Sequence, residues 1–381
     1  MTESQKLING LALSGGGFRA SLFHSGSLLR LNELGLLRQL DIITSVSGGS
    51  ILSGLMARHW PELTWEARPQ GMVAVNFQEK IVLPLRDFCG RTIDLSAGLT
   101  GLLSPFSSMP DELTKAYDKY LYSGWTLQQL PEPAAGKTPR FVFYATNLQS
   151  GASVRIGRNY LADYKVGRID KPNFSLAKVV AASSAFPPVF SPVIFNFKDV
   201  SVWQPMEGTY LHDRRNFKDR LYLADGGIYD NLGLEAIWDR CQTVLVSNAG
   251  APLEVEARPA TDPVGQLGRV RDILTEQTRA LRLRRLVEDY KKKGPGGGAY
   301  WGISTKIANY GLSDTLTTDN DLTRQLDNIR TRLNKFTGDE QGHLINWGYA
   351  LTDAAMRSFG KEVLTGPPPA PAWPCPEYAL S

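Results

Sequence analysis

The chain has 381 residues, with a hydrophobic fraction of 42%, aromatics at 10% and charged residues at 21%. That composition excludes wholesale disorder, and the length excludes a small domain that depends on disulfides. Forty-two basic residues against 38 acidic ones leave a net charge of +4, too small an excess to suggest nucleic acid, so any basic partner surface has to be local.

The first residues, Met1 to Lys6, lead into an apolar run without a signal-peptide core, and no stretch reaches the roughly 18 apolar residues of a spanning helix. The expectation is a cytoplasmic protein that touches membranes peripherally, from outside. Ile8 to Leu13 reads as a buried strand ended by Ser14-Gly15-Gly16-Gly17, a turn suited to glycine. From Ser21 the leucines at 22, 28, 29, 31, 34 and 36 follow a helical period. A second strand, Asp41 to Val46, runs into Ser47-Gly48-Gly49 and a helix stopped by Pro61. Strand, helix, strand, helix in about sixty residues is a parallel α/β beginning.

Further strands are predicted at Arg140–Thr146, Leu221–Ala224 and Thr243–Ser247, with a buried helix over Leu176–Ala185 cut by Phe186-Pro187-Pro188. Residues 1–250 therefore read as one doubly wound α/β body with a helical insertion at about 60–135. Residues 251–381 form an extension that completes the same body. Leu267 to Lys293 interleaves apolar and cationic residues at near-helical spacing and ends at Gly294-Pro295-Gly296-Gly297-Gly298. The last stretch, from Gly366 on, is proline-rich and expected to be extended or mobile. Cys89, Cys241 and Cys375 lie far apart with no CxxC or Cys/His pairing, which argues for reduced thiols and against a structural zinc site.

Three short motifs carry chemistry. Ser45-Val46-Ser47-Gly48-Gly49 sits at a strand-to-helix junction, where an elbow lifts a nucleophilic serine out of a sheet; Ser45 stands where the usual GxSxG has glycine, and Ser45 and Ser50 are rival nucleophiles. Gly15-Gly16-Gly17-Phe18-Arg19 offers bare N–H groups and a helix N-terminus to an anion, with Arg19 adding a charge. With Ala20 it also satisfies G-x-G-x-x-G/A, so a nucleotide-binding regulatory module is a rival reading, but the acidic residue that reading needs after the next strand is missing. Asp225 in Ala224-Asp225-Gly226-Gly227, just past a predicted strand, is the candidate base. Read alone it is an ordinary turn.

A GGGxR loop after the first strand, a serine elbow about thirty residues on and a late Asp-Gly-Gly resemble the patatin-like phospholipase family over roughly residues 8–250. Ser183-Ser184-Ala185-Phe186-Pro187-Pro188 with Pro192 resembles that family's link before the aspartate strand. The resemblance implies a three-layer α/β fold with a central, mostly parallel sheet between helices, and a C-terminal helical extension. It implies a catalytic dyad on Ser47 and Asp225, an oxyanion loop on Gly15, Gly16 and Gly17, and Arg19 on a substrate headgroup or an acidic neighbour. The implied activity is hydrolysis of acyl esters of phospholipids or related lipids through an acyl-enzyme, with no cofactor and no metal. The departures are Ser45 and Ala20, where the family often has glycines.

Four histidines exist, His24, His59, His212 and His343. Only His343 follows Asp225 in the order of an α/β-hydrolase triad, in a polar stretch that reads as a loop; His24 reads as a packing or hydrogen-bonding residue. Leu95 to Phe106 is a candidate lid, and the basic helix from Leu267 to Lys293 is a candidate docking element for anionic headgroups, Lys291 to Lys293 included. Some relatives are effectors of bacterial antiviral defence switched on by a cyclic nucleotide; no residue of this sequence identifies such a ligand site.

Overall fold

Apolar runs become strands wherever both faces of the sheet are covered. The computed structural model describes residues 7–91, 109–250, 252–294 and 296–380. In chain order its strands are β1 (Leu7–Leu13), β2 (Ile42–Val46), the hairpin β3 (Trp65–Arg68) and β4 (Gly71–Ala74), β5 (Arg140–Asn147), β6 (Ala152–Gly157), β7 (Tyr160–Asp163), β8 (Gly167–Asp170), β9 (Val193–Asn196), β10 (Trp203–Gln204), β11 (Arg220–Asp225), β12 (Cys241–Asn248) and β13 (Gly298–Gly302). The longer helices are α1 (Gly17–Glu33), α2 (Gly48–His59), α3 (Leu83–Cys89), α4 (Met109–Tyr117), α5 (Leu176–Ser184), α6 (Pro263–Lys293) and α7 (Gly338–Phe359).

The central sheet is mixed. β5, β2, β1, β12 and β13 run parallel. On the other side of β5, strands β6, β7, β8 and β10 follow antiparallel. The parallel strands β1, β2, β5 and β12 fall where the sequence predicts them; β13 follows the glycine-rich break after Lys293 and is not predicted. β6, β7 and β8 do not announce themselves because they are short and joined by turns of about two to four residues, which return the chain on itself and leave no room for a crossover helix, and β10 is only the two residues Trp203–Gln204.

Side chains alternate between two cores, as the period of a strand requires. Leu11, Leu13, Ile43, Phe143 and Leu245 face one, with α1, α2, α5 and α7 packed over them. Ala12, Ile42, Val46, Val142, Val244 and Val246 face the other, covered by Leu232, Leu234, Ile237 and Leu286 of α6. The fold is thus a three-layer α/β sandwich, and its parallel strands read as continuous apolar runs because neither face meets water.

The last helix belongs to the core. A Cβ at Gly26 of α1 would collide with the carbonyl of Ile345, and one at Gly348 of α7 with the carbonyl of Phe23, so the two helices cross backbone to backbone. Their contact also buries an ion pair, Arg30 to Asp353 at 2.6 Å. The proline-rich end is extended, as expected, but docked: Asn346 donates to the carbonyls of Cys375 (2.8 Å) and Tyr378 (2.7 Å), and Arg30 donates to that of Pro369 (2.7 Å). The candidate lid, Leu95 to Phe106, lies outside the described residues. Among the described residues no helix is long and apolar enough to cross a membrane.

A methyl group at the helix crossing has no space to enter. Gly348→Ala is expected to cost about 1–3 kcal/mol through overpacking, read as a lower urea midpoint. An unchanged midpoint would mean that α1 and α7 part freely.

Candidate active site

The site lies where β2 and β11 end. β2 runs parallel to β5 and stops with Val46 opposite Tyr144; β11 runs antiparallel to it and stops with Asp225 opposite Ala145. Two strands therefore meet head to head on adjacent rungs of one edge of β5. Ser47 follows Val46 with φ 52 and ψ −119, a backbone region that costs a residue with a side chain about 1–3 kcal/mol. This is the strained elbow that the sequence anticipates. Gly48 and Gly49 make it possible, because a Cβ at Gly48 would collide with the Gly17 carbonyl and one at Gly49 would sit 2.6 Å from that of Leu13.

Asp225 is 3% exposed and accepts the Gly227 N–H at 2.7 Å. The Ser47 side chain lies beside its carboxyl and favours the charged form. Burial pushes its pKa up to about 6, and the Gly227 N–H and the Ser47 side chain only partly oppose that rise. A carboxylate in this state holds a serine proton well at neutral pH, since its basicity exceeds that of an ordinary aspartate.

A chain of hydroxyls supports the elbow from beneath. The Ser47 N–H donates to Ser183 Oγ (3.1 Å), which lies 2.8 Å from Ser50 Oγ; Ser50 donates to Ser45 Oγ (3.0 Å), and Ser45 to the Val142 carbonyl of β5 (3.4 Å). With the Ser50 proton directed at Ser45, Ser183 is the donor to Ser50. Ser45 and Ser50, the rival nucleophiles, are fully buried and bonded in this chain. Ser45 therefore fills the usual glycine position with a hydroxyl that reaches the neighbouring strand.

Ser183 also holds the other half of the site. Its carbonyl accepts the Gly226 N–H (3.2 Å), and the carbonyl of Ala185 accepts the Asp225 N–H (2.9 Å). Sequence reasoning noted this stretch without giving Ser183 a part. The signal was there, a serine at the C-terminus of a small-residue helix, but only the fold brings it to Ser47.

The glycine loop passes over the serine, and its three members differ. The Gly15 N–H is spent on the Asn231 carbonyl (3.0 Å), which corrects the expectation that it faces an oxyanion. Gly15 instead allows close approach: a Cβ there would lie 3.2 Å from Ser47 Cβ and collide with Asn231 Oδ1. Gly16 (φ 141) and Gly17 (φ 57) hold conformations that favour glycine, and their N–H groups meet no acceptor among the described residues. The N-termini of α1 and α2 lie side by side here, since the Gly17 carbonyl abuts Gly48. Their aligned dipoles favour negative charge at Ser47.

Arg19 is corrected as a headgroup residue, and its acidic neighbour is Asp327. It is 1% exposed, and its guanidinium donates to the carbonyls of Asp327 (2.6 Å), Ile329 (2.7 Å) and Ala249 (2.8 Å). Burial lowers its pKa to about 10. It clamps the C-terminal segment to the start of α1 and has no access to a headgroup. His24 is likewise internal, between Ser247 Oγ (2.7 Å) and the Ser14 carbonyl (3.0 Å), and burial drops its pKa to about 4. The neutral ring accepts from Ser247 and donates to Ser14, which steadies the loop. His343 sits in the first turns of α7, not in a loop, packed edge-on against the Tyr378 ring at 5.7 Å.

Among the described residues no cluster of three His, Cys, Asp or Glu side chains could hold a metal, and the three cysteines are buried and free. A groove of about 810 Å³, lined by Asn9, Trp238, Thr243, Lys293 and Glu362, opens at the opposite end of β1 and β12. It touches neither Ser47, Asp225 nor the glycine loop. Reacting groups in such sheets gather at the C-terminal ends of the strands, which is where Ser47 and Asp225 are.

The sequence model of a family described as Patatin-like phospholipase matches residues 11–238. Among solved structures, the human GIVD cytosolic phospholipase A2 is similar at 12% identity, with 95% of this chain and 63% of that one covered and a TM-score of 0.49. VipD from Legionella pneumophila is similar at 16% identity, with 93% and 67% covered and a TM-score of 0.38. The chain thus spans less than two thirds of the human structure. No curated protein matches it in sequence.

The burial of Asp225 has a measurable cost. Its folded pKa, about 6, exceeds the ordinary 3.8, so the penalty of the buried charge is present above pH 6 and disappears as pH falls below the ordinary value. Asp225→Asn should stabilise the fold by up to about 3 kcal/mol more at pH 8 than at pH 4, measured by denaturant unfolding. Equal effects at both pH values would show that the carboxylate carries no desolvation penalty.

Proposed function

The chain belongs to the patatin-like phospholipase family, and from that premise we propose that it is a serine acyl hydrolase of membrane lipids working through Ser47 and Asp225. The observation that carries the reading is the Ser47 side chain set beside a buried, basic Asp225 where β2 and β11 end, next to two N–H groups left without acceptors on Gly16 and Gly17. Nucleophile, base and oxyanion donors are what acyl transfer needs.

Ser47 Oγ attacks the ester carbonyl carbon while its proton passes to Asp225. The carbonyl oxygen becomes an oxyanion facing Gly16 and Gly17, with the N–H of Gly48 at the first turn of α2 as a third donor. Collapse breaks the bond to the leaving oxygen, which takes the proton from Asp225 and departs as the alcohol, while the acyl group stays on Ser47. Water then attacks the acyl carbon as Asp225 takes its proton, and on the second collapse that proton returns to Ser47 while the fatty acid departs. One oxyanion donor contributes about 2.7–4 kcal/mol in comparable enzymes. The substrates are fatty-acyl esters of phospholipids, met by peripheral contact with a membrane, and neither a cofactor nor a metal takes part.

Labelling by a fluorophosphonate, with fatty-acid release from phospholipid vesicles, tests the reading. Wild type should label and release; Ser47→Ala should do neither, and Asp225→Asn should lose at least about a hundredfold in rate. His343→Ala should retain most of its rate, and a loss matching Ser47→Ala would replace the dyad with a triad. The wild-type rate should fall as pH drops through about 6, because a protonated Asp225 accepts nothing. Retained nucleotide together with indifference to Ser47→Ala would instead favour a binding module.

A further inference from the structure

Among the described residues α6 is unlike every other long helix. Of its 31 residues only Leu286 is fully buried. Leu267, Val270, Leu274 and Leu281 are 72%, 51%, 63% and 59% exposed. Their spacing of three, four and seven residues puts them on one stripe of the helix. A stripe of four large apolar side chains in water needs a partner.

The opposite face is firmly seated. Arg282 pairs with Glu235 at 2.6 Å and lies 3.5 Å from buried Asp230, Tyr290 donates to the Val244 carbonyl at 2.7 Å, and Trp238 donates to Asp289. The stripe is therefore held outward by anchors and does not await a turn of the helix. The charge of the protein is gathered here as well. α6 carries nine basic and four acidic residues, a net of five positive charges, where the entire chain carries +4. Arg271, Arg284 and Lys292 are exposed beside the apolar stripe.

Its place relative to the catalytic residues completes the case. The guanidinium of Arg271 lies 5.2 Å over the ring of Phe186, and Phe186 directly follows Ala185, whose carbonyl holds the Asp225 N–H. Phe186 and Val189 are themselves 37% and 50% exposed. The apolar stripe and the segment leading to Asp225 thus lie on the same side of the molecule.

We propose that the exposed stripe of α6 seats the protein on an anionic phospholipid surface, with Leu267, Val270, Leu274 and Leu281 entering the acyl boundary and Arg271, Arg284 and Lys292 meeting headgroups. The combination of apolar area and flanking cations is what binds a helix flat to such a surface. The inference rests on the lipid-hydrolase reading and names the element that brings the site to its substrate. It also leaves Lys293 out of the docking surface, since that side chain is held by the carbonyls of Cys241 and Gln242 (3.1 and 3.3 Å).

Co-sedimentation with phosphatidylcholine vesicles, with and without phosphatidylserine, tests it on the full chain. Wild type should partition onto the phosphatidylserine vesicles and be released by salt. Leu267→Asp/Leu274→Asp and, separately, Arg284→Glu/Lys292→Glu should each lower that partitioning at least about tenfold while melting like wild type. Partitioning of both variants equal to wild type would overturn the proposal. So would a wild type that ignores vesicles but forms a dimer, by light scattering, that Leu267→Asp/Leu274→Asp dissociates, because the stripe would then belong to a second copy. Hydrolysis of a short-chain soluble ester by wild type is measured in parallel; its absence would count against the hydrolase reading alone, leaving the vesicle result to decide the docking.

Discussion

β5 carries two partners along one edge, β2 as far as Tyr144 and β11 from Ala145 onward. One runs with β5 and the other against it, so their ends meet, and the residue after Val46 and the residue at the end of β11 become neighbours. A slip of one residue in either pairing would turn Ser47 or Asp225 to the opposite face of the sheet. Register against a single strand is therefore what the proposed chemistry depends on, and the rest of the candidate site is arranged around that meeting point. The glycines at 48, 49 and 226 are needed because neighbouring backbone closes on them, and those at 15 and 227 because the Asn231 side chain lies against both.

Convergence has an energetic cost. Ser47 holds an unfavourable backbone conformation, and Asp225 loses most of its hydration. Local hydrogen bonds offset part of this: Gly227 to the carboxyl, Ser47 N–H into the Ser183-Ser50-Ser45 chain, and the Ser183 and Ala185 carbonyls to the aspartate turn. In a low dielectric such bonds polarise one another and hold geometry firmly. The large cores on both faces of the sheet supply the remainder. A site that is strained and dry remains folded because it stands on a body that is neither.

Part of that support comes from beyond the region that the family model matches, which ends at residue 238. Arg19 ties the start of α1 to the carbonyls of Asp327 and Ile329, and His24 reaches Ser247. A Cβ at Gly17 would collide with the Thr331 carbonyl. The glycine loop is thus clamped by the C-terminal third of the chain, which also supplies β13 and α7 to the fold. α6, from the same third, does the opposite: it adds little to the core and presents apolar and cationic side chains outward.

Local patterns were legible in the sequence because each rests on neighbours in the chain. Apolar runs marked β1, β2, β5, β11 and β12, a small-residue run marked α5, and glycines beside Ser47, Asp225 and residues 15–17 marked the turns of a nucleophilic site. What depends on residues far apart was not legible. Short hairpin strands gain their stability from cross-strand partners, so β6 to β8 left no signal. The docked proline-rich end is held by Asn346 and Arg30, which no local rule connects to it. A buried arginine and an exposed one look alike in a sequence, which is why Arg19 suggested a headgroup. A backbone N–H is likewise identical on every residue, so only the folded chain decided that Gly15 spends its own on Asn231 while Gly16 and Gly17 keep theirs. The sequence by itself determined which side chains could react. Tertiary structure decided which polar groups were left unpaired to help them, because pairing is settled by distance in space.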